Sequence, residues 1–320
     1  MYLDFLMDTY AKPHKTLEEQ LSILKSRGLL ISDDASAIEC LHRNGYYRLS
    51  AYWYPFRTLA NDLRTDTFLP GSQFENARAL YVFDKKFKLL LLDAIERVEI
   101  AARAEIALCL GACDTFAHTN PLSFRPSFTS VNADGESKHL SWLAKFDNAV
   151  SNSSDEFVRH HRDKYGENAL IPIWIAIELW DFGMLSKFYS GMKTEDCVCV
   201  ATRFFIPHWH LMRSWLHTLN YVRNVIAHHG RLWNLNLTVS PKSPSAASMP
   251  EFAPLFSRPN AGNRVYSICC ILAHFSKVVN PQSSWRQQLI ELMDEFPVMP
   301  HARIKDMGFP DDWRTHSFWN

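Results

Sequence analysis

Two side chains able to act together on a phosphodiester lie five residues apart, at Arg223 and His228. An arginine guanidinium binds two phosphate oxygens at once, and a histidine accepts or releases a proton near neutral pH. Because RNA carries its own nucleophile in the 2′-hydroxyl, such a pair could cleave RNA without a metal ion. Cleavage by this route needs both a base and an acid. Either His229 supplies the second group, or a twofold dimer brings two copies of His228 together.

One helix must position these groups, and Pro207 suits its first turn. Its apolar residues recur three or four positions apart and predict a buried face: Trp215, Leu219, Val222 and Ile226. A second face is polar and carries His217, Tyr221, Asn224 and His228. Five residues of an ideal helix turn through roughly 140°, so Arg223 must reach round the helix to His228. Gly230 follows the last periodic residue, and we expect a left-handed C-terminal cap there.

The same residues also suit a purely structural role. Arginine and histidine near the C-terminus of a helix complement its macrodipole, and an apolar stripe is typical of any packed helix. The spacing R-x-x-x-x-H occurs a second time, from Arg203 to His208, with Pro207 between them. Spacing alone therefore leaves the catalytic and the structural interpretations open.

The segment RNVIAHHGRLWN, residues 223–234, resembles the signature of the Abi-like (abortive infection, AbiD/AbiF-type) bacterial proteins of the HEPN superfamily. Arg223, Asn224 and His228 match the HEPN pattern of an Arg, a polar residue, three further residues and a His. The family's extension is matched by His229, Arg231, Leu232, Trp233 and Asn234. The resemblance covers nearly the whole chain, and its other landmarks are Lys15–Ile31, Asn44–Arg57, Phe83–Arg103, Pro172–Tyr189 and Met307–Trp313.

This resemblance implies a metal-independent endoribonuclease that acts in phage defence or as a toxin, with RNA as its substrate. Arg223 and His228 would be catalytic, and Asn224 would position the substrate or the histidine. The composite site of HEPN ribonucleases usually forms between two HEPN units, so one motif in this chain implies a homodimer. An antitoxin RNA or protein stays open as a further partner. The alternative is a HEPN-fold module that binds RNA or a protein without cutting.

Further site residues lie in two other landmarks and in the extension. His229, Arg231, Trp233 and Asn234 would complete the site or fix its geometry. In the aromatic landmark, Tyr46, Tyr47 and Arg48 could stack on bases and bind phosphate, or they could simply pack in a core. In the element IERVE, Glu96 or Arg97 could orient the catalytic arginine or histidine, or both could lie on a solvated face with ion pairs.

Composition limits the kind of partner. The chain has 320 residues, with 34 basic and 34 acidic side chains, which argues against a polycation that coats nucleic acid through bulk charge. The seven cysteines include no pair of C-x-x-C units with a zinc spacing, so we expect reduced thiols in a cytoplasmic protein. His208 and His210 have an H-x-H spacing but no evident partner, and neither a metal nor a cofactor is expected. The acidic start MYLDFLMDTY and the lack of a long apolar run predict no signal peptide and no membrane span.

We predict an all-α fold. A HEPN-like helical bundle at 74–235 would follow a helical and aromatic N-terminal module at 1–73. A surface loop at 236–263 would separate the bundle from C-terminal helices and a tail, 264–320, that pack on it. The predicted helices are 16–27, 35–43, 74–110, 140–165 with an interruption at 151–154, 173–189, 195–205, 264–279 and 284–295. Residues 62–71 should form a loop or a short extended segment, and 118–139 should form a loop.

Overall fold

The computed structural model describes residues 13–256 and 261–320, and its helices confirm the all-α class. The start MYLDFLMDTY and part of the predicted loop 236–263 lie outside the described residues. The chain divides into two compact units, and the division falls within one helix, after Phe83. In the described residues, no helix has both the length and the apolar character needed to cross a membrane.

The first unit ends at Phe83 and also contains Phe296–Arg303. Its elements are α1 (Leu17–Ser26), α2 (Asp34–Asn44), α3 (Tyr46–Trp53), β1 (Arg57–Ala60), β2 (Leu63–Phe68) and the first part of α4 (Phe74–Gly111). A capping box begins α1: the Thr16 hydroxyl accepts the Glu19 N–H at 3.2 Å, and the Glu19 carboxylate accepts the Thr16 N–H at 2.8 Å.

A two-stranded hairpin in this unit goes beyond the predicted loop or short extended segment. β1 and β2 pair antiparallel, and Ala60 lies opposite Leu63. The two residues between them, Asn61 and Asp62, have φ of 50° and 62°. Left-handed conformations at both turn positions match the right-handed twist of paired strands, and Asn and Asp tolerate them. The Asn-Asp pair was therefore the sequence signal for this hairpin.

The second unit consists of Asp84–Glu295 and Ile304–Asn320. After α4 its helices are α5 (Pro126–Thr129), α6 (Lys138–Asn152), α7 (Glu156–Tyr165), α8 (Ile173–Ala176), α9 (Phe182–Gly191), α10 (Thr194–Arg203), α11 (Trp209–Ala227), α12 (Ala253–Phe256), α13 (Val265–Val279) and α14 (Trp285–Asp294). α11 packs against α9 and α10. α13 is buried along most of its length, as expected of a helix that is apolar nearly all round.

The predicted helix 173–189 is in fact two helices. A 3₁₀ turn follows α8, the chain becomes extended at Trp180, and Asp181 starts α9 by accepting the Met184 N–H at 2.7 Å. Gly183 lies inside the first turn of α9. There, an added Cβ would approach Asp181 Oδ1 to 3.0 Å and Asn220 Nδ2 to 3.6 Å. The absent side chain therefore lets α9 approach α11 closely.

Two segments predicted as loops contribute to the core of the second unit. Residues 118–139 include α5 and bury His118, Phe124, Phe128 and His139. Past the candidate motif, the main-chain oxygen of Lys242 accepts the Trp215 indole N–H at 3.0 Å, and Phe252 packs its ring against Trp215. Each aromatic side chain buries a large apolar area, and this burial draws the segments into the core although many of their other residues are polar.

Candidate functional site

α11 presents two different faces, as its sequence predicts. The apolar stripe is confirmed: Trp215, Leu219, Val222 and Ile226 are all buried. On the polar face, His217 and His228 are exposed, while Tyr221 and Asn224 are half-buried. Burial of the first stripe fixes the rotation of the helix, and this rotation sets the direction in which the polar groups project.

The end of α11 is closed by a Schellman motif. The Gly230 N–H donates to the Val225 oxygen at 2.8 Å, and the His229 N–H donates to the Ile226 oxygen at 2.9 Å. The left-handed residue is His229, with φ of 59°, and the prediction that placed this cap at Gly230 is wrong by one residue. Gly230 is needed for a different reason: an added Cβ would lie 3.0 Å from both the oxygen and Cγ1 of Val225.

The chain beyond the helix is held from α4 by two charged residues. Asp84 is fully buried, and its Oδ1 accepts the N–H of Trp233 at 2.6 Å and that of Leu232 at 3.2 Å. Lys88, one turn further along α4, donates to the Gly230 oxygen at 3.1 Å and lies 3.4 Å from Asp84. A buried carboxylate is stable only when it is paired and hydrogen-bonded. These contacts therefore fix the main chain directly after His228 and His229.

The other residues of the predicted extension lie around this anchor. Trp233 is fully buried, and the Arg231 guanidinium lies 6.0 Å from the centre of its ring. Asn234 has φ of 55°, and its side-chain oxygen accepts a hydrogen bond from Arg264 at 2.9 Å. Trp233 and Asn234 therefore sit where they can fix the path of the chain after α11, while His229 is exposed.

Arg223 lies at the wall of a cavity between helices. One guanidinium nitrogen donates to Asn224 Oδ1 at 3.3 Å, and both residues line a cavity of about 560 Å³ in the second unit. His228 does not line this cavity. Three lysines do: Lys138, Lys145 and Lys187. The site thus combines an arginine, an amide and additional positive charge, a set of groups suited to phosphate.

A family model described as Abi-like protein matches residues 39–234 of the chain. The chain belongs to the Abi-like protein family. The match ends at Asn234, the last residue of the predicted extension, and it contains every residue predicted for the site. No curated protein and no solved structure matches the chain.

In this Abi-like chain, Glu99 lies close enough to Arg223 for their charges to interact. Burial raises the pKa of Glu99, and the charges of Arg103 and Arg223 oppose that rise. Arg103 donates to Glu99 at 2.5 Å and to the Trp180 oxygen at 2.5 Å. Glu96 and Arg97 are exposed, and Arg97 forms two hydrogen bonds to Asp93 at 3.1 Å. The same landmark therefore supplies a neighbour of Arg223, three residues after Glu96.

The aromatic landmark of the Abi-like chain belongs to the first unit. Tyr46 packs edge-on against Trp53 with ring centres 5.3 Å apart, and Arg27 donates to its hydroxyl at 3.5 Å. The Tyr47 side chain is 91% exposed, and Arg48 is exposed too. Tyr46 thus has the packing role that the structural interpretation gave it, whereas Tyr47 and Arg48 face solvent.

The imidazoles of His208 and His210 stack, with ring centres 5.3 Å apart. Among residues 13–256 and 261–320, His, Cys, Asp and Glu side chains form no group of three or more that could bind a metal ion. Within those ranges, the H-x-H spacing therefore corresponds to a stacked pair of rings without a third ligand of these types beside it.

Proposed function

We propose that this chain is a metal-independent endoribonuclease of the HEPN type. Membership in the Abi-like family suggests a role in abortive infection, a form of phage defence. Cleavage of RNA in the cytoplasm, as a defence enzyme or a toxin, is an activity that would stop phage growth. The observation that carries the proposal is that Arg223 lines a cation-rich cavity while His228 is exposed at the end of the same helix.

The proposed cleavage uses the 2′-hydroxyl of the RNA, a histidine base, an acid and Arg223. The 2′-oxygen of one ribose attacks the adjacent phosphorus, and a histidine takes the 2′-hydroxyl proton. The bond from phosphorus to the 5′-oxygen then breaks, and an acid protonates the departing oxygen. Arg223 binds the non-bridging oxygens, whose negative charge grows in the transition state. The products are a 2′,3′-cyclic phosphate, which can hydrolyse to a 3′-phosphate, and a 5′-hydroxyl end.

Two histidines serve this reaction, one as base and one as acid. We assign one role to His228 and the other to His228 of a second copy of the chain, which makes the active enzyme a homodimer. His229 is the alternative within one chain, because it is exposed and adjacent. Asn224, which accepts a hydrogen bond from Arg223, holds the guanidinium toward the phosphate.

The test is cleavage of a mixed RNA pool by purified protein in EDTA. His228→Ala should abolish cutting, and Arg223→Ala should do the same. His217→Ala is the matched control, since His217 is also exposed on the polar face of α11, and it should cut like wild type. RNA binding by all proteins with no cutting by any would instead favour the module that binds without cleaving.

A further inference from the structure

Most of the lining of the cavity beside Arg223 comes from one face of each of three helices. α6 contributes Lys138, Ser141, Trp142 and Lys145, which recur three or four residues apart. α9 contributes Gly183, Met184, Lys187 and Ser190, and α11 contributes Asn220, Arg223 and Asn224, with the same spacing. Such spacing places residues on a single helix face. The packing of α6, α9 and α11 therefore forms the cavity.

Positive charge dominates its rim. Lys138, Lys145 and Lys187 are exposed, and none of them forms an ion pair with a residue that the structure describes. The one carboxylate in the lining belongs to Asp181, whose Oδ1 already accepts the Met184 N–H. Together with Arg223, the lysines give four cations around one opening, an arrangement that attracts phosphate.

The walls suit a nucleobase. Phe128, Trp142 and Met184 supply apolar surface, and the buried Trp142 is fixed by its indole hydrogen bond to the Met184 oxygen at 3.1 Å. Asn220 and Asn224 add amides that both donate and accept hydrogen bonds. A volume of about 560 Å³ falls within the range of ~300–1,000 Å³ typical of small-ligand pockets. This volume suits one nucleotide.

The cavity continues into an open groove. This groove favours a nucleic-acid strand over a free nucleotide as the ligand. The groove, about 810 Å³, shares Ser141, Lys145, Asp181 and Met184 with the cavity and runs on along α6 past Leu140 and Asn148. A free mononucleotide needs no such extension, whereas a single strand must leave its pocket along some path. Lys145 lies at the junction, where the next phosphate of a strand would pass.

We infer that this cavity binds one nucleotide of a single-stranded RNA, next to the phosphate held by Arg223. The base enters the cavity against the surface that Trp142 and Met184 line, and the backbone phosphates contact Lys138, Lys145 and Lys187. The choice of RNA rests on the proposed ribonuclease function. A subsite on α6 and α9 adds to that function a preference for unpaired RNA.

The test uses binding, so that it does not depend on cleavage. The probe is a fluorescent 2′-O-methyl RNA of roughly eight nucleotides, which cannot be cut through its 2′-oxygen. We compare wild type with the triple variant K138Q/K145Q/K187Q. The control triple, K85Q/K164Q/K305Q, removes the same charge at exposed lysines that do not line the cavity.

The cavity triple should bind the probe about 10-fold to 100-fold more weakly than the control at about 0.1 M salt. Its plot of log affinity against log salt should be shallower by about 2, since each single-strand phosphate contributes roughly 0.7. Equal affinity and equal salt slope for the two triples would overturn the inference. All substituted lysines are exposed, so both triples should melt like wild type.

Two further arms identify the occupant. A free nucleoside monophosphate should compete only weakly with the probe; competition as strong as that of the unlabelled octanucleotide would overturn the assignment to a strand. An abasic version of the probe should bind more weakly to wild type, because its bases cannot enter the cavity. If lysine-dependent binding is found but wild type never cuts RNA, the subsite stands and the ribonuclease proposal fails. If wild type cuts and both triples cut and bind alike, only the subsite fails.

Discussion

The buried carboxylate of Asp84 accepts the main-chain N–H of Trp233 at 2.6 Å, across 149 residues of sequence. It also accepts the N–H of Leu232, and Lys88 completes the contact by binding the Gly230 oxygen. The chain just after the candidate histidines is thus held by a charged pair on α4. This pair gives the end of α11 a fixed exit, which a site built from side chains requires.

Replacing Asp84 should therefore be costly. Asp84→Asn removes the negative charge that accepts two main-chain N–H groups, and it leaves Lys88 facing an amide. We expect the free energy of unfolding to fall by about 2 kcal/mol or more, because a buried hydrogen-bonded ion pair loses one partner. The measurement is urea denaturation.

The matched control is Asp93→Asn on the same helix. Asp93 also pairs with a cation four residues away, Arg97, but this pair is nearly half exposed. Exposed ion pairs contribute little, so the control should lose less than about 0.5 kcal/mol. Equal losses in the two variants would show that Asp84 does not anchor the segment.

A glycine in place of His229 should make the folded protein more stable. An L-residue in the left-handed region costs roughly 1 kcal/mol, and His229 has φ of 59°. His229→Gly should therefore raise the free energy of unfolding by a few tenths to about 1 kcal/mol. Gly230→Ala should lower it, because the new Cβ would lie 3.0 Å from the Val225 oxygen. Opposite signs in thermal melts support the Schellman geometry; a destabilised His229→Gly variant contradicts it.

The shape of the Arg223 guanidinium should matter as well as its charge. Lysine keeps the charge but cannot bind two phosphate oxygens as a planar fork. Loss of one donor to a developing oxyanion typically lowers the rate by about 10²–10³, so Arg223→Lys should cut RNA at least ~100-fold more slowly. Arg159→Lys, a change at an exposed arginine of α7, should leave the rate unchanged. A fully active Arg223→Lys variant would show that the Arg223 guanidinium does not bind the phosphate in the transition state.

His118 predicts how stability depends on pH. It is fully buried, and both ring nitrogens lack a hydrogen-bond partner among the described residues. Burial lowers its pKa to about 4, against the opposing charge of Asp114. Between pH 6.5 and 4 the histidine is protonated in the unfolded chain but stays neutral in the folded chain. The free energy of unfolding therefore falls as the pH falls through this window.

From pH 7.5 to pH 5, this histidine alone should remove about 2 kcal/mol from the free energy of unfolding. His118→Phe, which suits a site lined by Phe146 and Trp180, should remove that part of the pH dependence. The comparison uses the difference between the two pH values for each protein, so a general change in stability cancels. An unchanged pH dependence in the variant would place the titrating group elsewhere.

The sequence predicts the parts of the site that depend on one helix. The burial of Trp215 and Val222 follows from a periodicity of about 3.6 residues, and this same periodicity aligns Asn224 with His228. The predicted position of the cap was wrong by one residue. Glycine usually takes the left-handed conformation, whereas here His229 takes it. The close contact of Gly230 with Val225 is tertiary information that no local pattern carries.

Relationships between distant helices could not be predicted in this way. The sequence shows Asp84 and Lys88 only as a favourable pair four residues apart, a pattern that surface helices share. Their burial depends on where residues 230–233 pass. Lys138 lay in a predicted loop, and the break at Asp181 was missed, so the faces of α6 and α9 could not be assigned. The cavity that they form with Arg223 is visible only once the helices are packed.

The most direct test of the proposed ribonuclease asks whether the 2′-hydroxyl is the nucleophile. A short RNA that contains one mapped cleavage site is compared with the same strand carrying a single 2′-deoxy residue on the 5′ side of that bond, both in EDTA. We expect the all-RNA strand to yield a 2′,3′-cyclic phosphate or 3′-phosphate and a 5′-hydroxyl, and the deoxy strand to stay uncut there. Cleavage of the deoxy strand at the same bond, or products with 5′-phosphate ends, would contradict the proposed reaction.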